Sequence, residues 1–250
     1  MKDESACGRV IPLNRGPSGG ARGLAAAASR PPDPLQDSAA LREAFAACPL
    51  DPAALAFALA ALPQGTRPVL WVQDRAARRE GGRLYGPSAD ARGRTFLRVE
   101  AGHPRDALWA MEEGASCAGL SAVVGEIHGA PAALDLTATR RLALRAEASG
   151  VPVWLIRSGP PGLSAARERW RVGSLPSAAD PFDPQAPGAP LWEAELFRAR
   201  GRAPGRWVAA RDEAHDGARD GASGRLDLAP LVGDGPLAAR EGPRRGGGAA

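Results

Sequence analysis

Between Thr95 and Ile156 the apolar positions alternate, recur at helical spacing and run together in a regular succession. Thr95-Phe96-Leu97-Arg98-Val99 alternates and carries β-branched residues at both ends, which predicts a strand. His103-Pro104-Arg105-Asp106 opens a helix through Leu108, Met111 and Ala115; proline suits the first helical position, where its missing N–H would be unpaired anyway. Gly119 ends that helix, and Ser121-Ala122-Val123-Val124-Gly125 is the near-continuous apolar run of a strand buried on both faces. A second helix over about 134–148 places Leu142, Ala146 and Ser149 on one side and leaves Arg140, Arg141 and Arg145 for solvent. Gly150 closes it, and Val151 to Ile156 is the next buried strand. Strand, helix, strand, helix, strand within about 60 residues implies right-handed parallel crossovers and an open, mostly parallel α/β sheet flanked by helices.

The flanking segments extend this frame. Residues 1–38 are rich in Gly, Ala, Pro, Ser and Arg without periodicity and read as disordered. Ser38 to Cys48 reads as a short amphipathic helix, with Leu41, Phe45 and Cys48 at helical spacing. Asp51 then caps a helix over Ala53–Leu62 whose buried stripe is Leu55, Leu59 and Leu62. Pro68 to Gln73 is the first sheet strand, and Asp74 to Asp90 a partly helical surface connection. Glu168 to Gly173 alternates like an edge strand. Pro176 to Pro190 is a proline-rich loop, and Leu191–Ala199 and Arg206–Arg211 form an antiparallel hairpin. Asp212 to Gly224 is polar, Arg225 to Ala229 returns as a last strand, and the glycine-rich tail 233–250 is disordered. A single α/β domain over 39–232 follows.

Composition narrows the function classes. No apolar run reaches the length of a membrane span, and the start of the chain lacks the apolar core of a secretory signal. Three widely spaced cysteines with no Cys-x-x-Cys argue against a disulfide framework or zinc site and for a reducing cytoplasm, with Cys117 a small buried hydrophobe. The net charge is +4 and the pI near 9.6, but Lys2 is the only lysine, so the basic residues are almost all arginine. In a chain so rich in Ala, Gly, Pro and Arg, only local clustering of arginine argues for nucleic acid.

Most familiar chemistry fails on these residues. A phosphate-binding G-x-x-x-x-G-K-[ST] loop needs a lysine that the chain does not have at any such position. The helix that would follow the loop starts at Asp51-Pro52, a carboxylate and a residue without N–H where phosphate would sit. The strand Ala122–Val124 ends in Gly125 instead of a magnesium-supporting aspartate, with Glu126 turned to the other face. Gly16-Pro17-Ser18-Gly19-Gly20 matches a nucleophile elbow only formally, since neither strand nor helix flanks it. Glu126 and His128 share a strand face at a carboxyl end, where an acid–base or metal role is conceivable, yet no third ligand stands at readable spacing. No cofactor is expected. One cluster remains. Trp192, Arg198, Arg200, Arg202, Arg206, Trp207 and Arg211 crowd into the hairpin against only Glu193 and Glu195, and Arg169-Trp170-Arg171 adds the same mixture. These are candidate contacts to DNA or a protein partner, through arginine forks on phosphates with aromatic surfaces nearby.

The order of segments resembles a RecA core: Ala53 to Ala60 followed by Pro68 to Val72 looks like the helix after the phosphate loop and the next strand, and Asp106 to Glu113 through Ala122 to Glu126 continues it. Leu134 to Leu142, Arg169-Trp170-Arg171-Val172, Trp192 to Gly201 and Gly205-Arg206-Trp207-Val208 resemble the ImuA family, RecA-like accessory proteins of inducible mutagenesis, over about residues 50–230. The resemblance implies a RecA-like (P-loop NTPase-type) fold without a working phosphate loop and a non-enzymatic role in the bacterial SOS response to DNA damage. It implies partners too: an inactive Y-family polymerase homologue and an error-prone, replicative-type polymerase subunit in translesion synthesis, with a RecA filament or DNA as further binding candidates. The chain departs from the family at its N-terminus, where the glycine-rich approach to the phosphate-loop position is not recognisable. An SOS-linked inhibitor of cell division and a divergent α/β enzyme using Glu126 and His128 are the alternatives.

Overall fold

The computed structural model describes residues 39–48, 51–63, 65–83, 94–180, 182–183, 185–211 and 226–231. The stretches expected to be disordered, 1–38 and 233–250, and the Gly16–Gly20 pentapeptide lie outside the described residues, as does the polar segment 212–224.

In chain order the elements are β1 (Leu41–Ala46), α1 (Ala53–Ala60), β2 (Val69–Asp74), α2 (Arg75–Gly81), β3 (Phe96–Ala101), α3 (Pro104–Ala115), β4 (Ala122–Ile127), α4 (Leu136–Ser149), β5 (Val153–Arg157), β6 (Glu168–Leu175), β7 (Leu191–Ala199), β8 (Gly205–Arg211) and β9 (Leu226–Pro230). The strands form one mixed sheet in the order β3-β2-β4-β5-β1-β6-β7-β8-β9. The six from β3 to β6 are parallel, and β7, β8 and β9 continue antiparallel from β6. The α/β architecture expected from the periodicity is therefore present, with the antiparallel hairpin built into the same sheet.

Two apolar layers cover the sheet. On one face Phe57 of α1 meets Trp154 and Trp170, and the layer runs on through Trp192, Leu196, Ala209, Leu226 and Leu228. On the other, Leu108 and Met111 of α3 and Leu142 and Ala146 of α4 cover Val72, Val123, Val153 and Leu155. Glycine permits the close approach of α3: a Cβ on Gly125 would overlap the Met111 side chain, and one on Gly114 would overlap Leu70. Asp135 caps α4 by accepting from the Ala138 amide at 2.7 Å, and Gly150 ends that helix in the left-handed conformation at φ 79°.

Several expectations are corrected. Residues 41–46 are a strand, not an amphipathic helix, and β1 lies between β5 and β6 in the middle of the sheet. Its charged residues are interior: Glu43 accepts from Arg169 Nε at 2.6 Å, and Arg42 Nε meets Glu168 at 3.2 Å. These partners lie in β6, so β6 is an inner strand and not an edge. In α1 the buried residues are Ala53, Ala54, Phe57, Ala58 and Ala60, with Leu55 and Leu59 half-buried; of the expected stripe only Leu62, just past the helix, is buried. That helix is apolar all round, so its spacing could not select a face. Cys117 is exposed, not buried, and Cys48 is disulfide-bonded, although the cysteine spacing argued against a disulfide framework.

Candidate functional site

The sheet divides the predicted arginine–tryptophan cluster into interior and surface members. Trp170 is fully buried and Trp192 nearly so; Trp207 is half-buried, its ring 5.7 Å from that of Trp170. Arg169 is interior, bound to Glu43 and stacked over Phe45 and Phe197 at 5.2 and 5.4 Å. A guanidinium can be buried in this way because its charge meets a carboxylate and its flat faces meet aromatic rings. Arg157, at the end of β5, lies 3.8 Å from the same Glu43, and burial lowers its pKa with Glu43 opposing the effect. Arg202 reaches from the hairpin connection to Glu168 at 3.0 Å and stacks over Trp170 at 5.3 Å. Trp170 and Arg169, proposed from the sequence as contact residues, thus form the interior of the sheet, and Trp192 joins them there.

The remaining members face solvent in two groups. Arg171 pairs with Glu195 at 2.7 Å and Arg206 pairs with Glu193, so both cations are neutralised across the strands. Arg198 and Arg200 are exposed and form no ion pair with any described residue. Arg167, outside the cluster expected from the sequence, is likewise exposed and forms no ion pair with a described residue, and its carbonyl accepts from the Arg200 amide at 2.9 Å. Of Arg211 only the backbone is described, in register with Leu226. The sole sequence signal for Arg167 is its place just before an alternating run; its nearness to Arg200 depends on the return of the hairpin.

The second candidate pair lies at the carboxyl ends of β2 and β4, beside a cleft of about 620 Å³ lined by Asp74, Arg75, Arg79, Glu80 and His128. Glu126 is buried within β4 and accepts from Gln73 Nε2 at 3.2 Å, while the same amide donates to the Gly82 carbonyl at 3.0 Å. Burial raises the Glu126 carboxyl to about 7, against the opposing influence of the Trp71 indole, His128 and Gln73. His128 Nδ1 lies 3.0 Å from Glu80 Oε2. The two side chains are therefore held by different partners. Among the described residues no group of three or more His, Cys, Asp or Glu is placed to hold a metal ion.

The third place is the start of α1. Asp51 Oδ1 accepts from the Ala53 amide at 2.9 Å and from Ser174 Oγ at 2.7 Å, and Oδ2 accepts from the Ser174 amide at 2.9 Å. The chain's own carboxylate occupies an anion position at this helix end and ties it to β6.

The geometry defines an α/β protein with a mostly parallel sheet, an antiparallel extension and, where β7 pairs with β6, a group of exposed arginines without an ion pair among the described residues. Two curated relatives, both named Protein ImuA and both from Caulobacter vibrioides (strains NA1000 / CB15N and ATCC 19089 / CIP 103742 / CB 15), are each 35% identical to this chain over 193 residues, covering 72% of the chain and 72% of the relative. The chain belongs to the ImuA family. No protein-family model matches it. No helix among the described residues is long and apolar enough to cross a membrane.

Proposed function

We propose that this protein is a non-catalytic accessory factor of SOS-induced, error-prone translesion DNA synthesis, built on a RecA-type core that has lost nucleotide chemistry. It acts in the cytoplasm by binding, with a Y-family polymerase homologue and an error-prone replicative-type polymerase subunit as its protein partners and DNA as a further ligand. Family membership supports the setting. The observation that carries the binding role is the start of α1. Where a nucleotide phosphate would need free amides, Pro52 offers no N–H and Asp51 already binds the Ala53 amide. A phosphate brought there would meet a fixed like charge that Ser174 holds in place.

Recovery of the tagged chain from DNA-damaged cells of its own source tests the role. A polymerase-like partner is the expected companion. Division proteins would favour the division-inhibitor alternative, and recovery of no partner would overturn the accessory role. Thermal unfolding with and without Mg-ATP tests the other half: the midpoint should not move, and an upward shift at millimolar nucleotide would mean that the site still binds.

A further inference from the structure

We propose that Arg167, Arg198 and Arg200 form a binding site for the sugar–phosphate backbone of a nucleic acid, one that takes single and double strands alike. The site rests on the nucleic-acid part of the function proposed above and changes both its membership and its chemistry. Four other arginines of this region are engaged: Arg169 by Glu43, Arg171 by Glu195, Arg202 by Glu168 and Arg206 by Glu193. Arg167, Arg198 and Arg200 are exposed and have no ion pair among the described residues. They also belong to one place. The Arg200 amide donates to the Arg167 carbonyl at 2.9 Å, and Arg198 stands in register with Arg169, two residues beyond Arg167. Three forked, permanently charged donors at one end of a rigid sheet suit the oxygens of successive phosphates.

The aromatic residues decide what the site does not read. Base stacking needs an exposed ring, and this hairpin withholds its rings. Trp170 and Trp192 are buried. The Trp207 ring lies against its own hairpin, where a Cβ on Gly205 would come within 2.7 Å of it. Phe197 lies beneath the guanidiniums of Arg169 and Arg171. With phosphates as the only contacts, binding depends on salt and ignores base sequence and strandedness.

Fluorescence anisotropy of the full chain with a labelled oligothymidylate and a labelled mixed-sequence duplex of equal length, over a range of salt, tests this. Both probes should bind with similar affinity, and each arginine replaced by alanine should flatten the plot of log K against log salt by about 0.9 for the duplex and about 0.7 for the single strand. The triple variant R167A/R198A/R200A should lose about tenfold or more in affinity at moderate salt, with an unchanged melting temperature because the side chains are exposed. Absence of binding, binding that survives the triple substitution, or marked preference for one probe would each overturn the site. The same variant in the recovery experiment separates the two ideas: if it still brings down the polymerase-like partner, the accessory role stands whatever becomes of the phosphate site.

Discussion

Two buried carboxylates show how one residue type takes opposite roles in this sheet. Glu43, on the central strand, is fully buried between Arg169 and Arg157. Glu43→Gln keeps the shape and removes the only carboxylate among the described residues bound to those two guanidiniums, which leaves buried charge uncompensated. A loss of about 3–5 kcal/mol is expected in urea unfolding; a variant within about 1 kcal/mol of the parent, the range of an exposed ion pair, would show that the pair is solvated. Glu126 has no arginine partner among the described residues, and burial raises its carboxyl to about 7 against the weaker opposing influence of Trp71, His128 and Gln73. In the unfolded chain it ionises near 4.5, so between these values the folded state holds the proton more tightly. Stability should then fall as pH rises from about 4.5 to about 7 and level off above, by about 3 kcal/mol in all. Glu126→Gln, which can still accept from Gln73, should abolish that slope and be the more stable protein at pH 8. Parallel stability–pH curves for parent and variant would contradict this.

At the scale of elements, local pattern served where one face or both faces of an element are uniformly apolar. The strands β2, β4 and β5 and the helices α3 and α4 fall close to where spacing, Pro104 and Gly150 put them. β1 was not legible because Leu41, Phe45 and Cys48 match a helical stripe while Arg42 and Glu43 look solvent-facing. Their burial depends on Glu168 and Arg169, 126 residues away in each case. The same long-range pairing made β6 look like an edge. In the candidate site, Arg198 and Arg200 were legible as a cluster, whereas the inward turn of the tryptophans and the nearness of Arg167 depend on strand order. Asp51 was legible as a helix cap, but its grip on β6 was not. Asp51→Ala removes an acceptor from the Ala53 amide and from both donors of Ser174. It should cost about 1–2 kcal/mol in thermal or urea unfolding, the range of a lost cap, and no measurable loss would mean that water replaces the carboxylate.

At the scale of the whole molecule, the antiparallel half is an extension of the parallel half and not an appended domain. β6 belongs to both, parallel to β1 and antiparallel to β7. The apolar layer under α1 crosses the same boundary: Phe57 touches Trp170, and Trp170 touches Trp207 of the hairpin. Ion pairs bridge it as well, since Glu168 binds the buried Arg42 of β1 and the half-buried Arg202 of the hairpin connection. Unfolding by urea should therefore be a single transition, with tryptophan fluorescence and far-ultraviolet circular dichroism coincident. A chain ending at Pro190 would keep β1 to β6 but lose the strand that covers the open edge of β6 and the layer over Trp170. It should fail to fold or should aggregate through that edge. A soluble, cooperatively melting product would instead mean that the parallel half stands alone, and the hairpin could then be swapped or deleted without disturbing the core. The expected failure has a functional corollary: point substitutions at exposed positions such as Arg198 and Arg200 are the way to test the hairpin's role, because its removal would destroy the sheet that presents it.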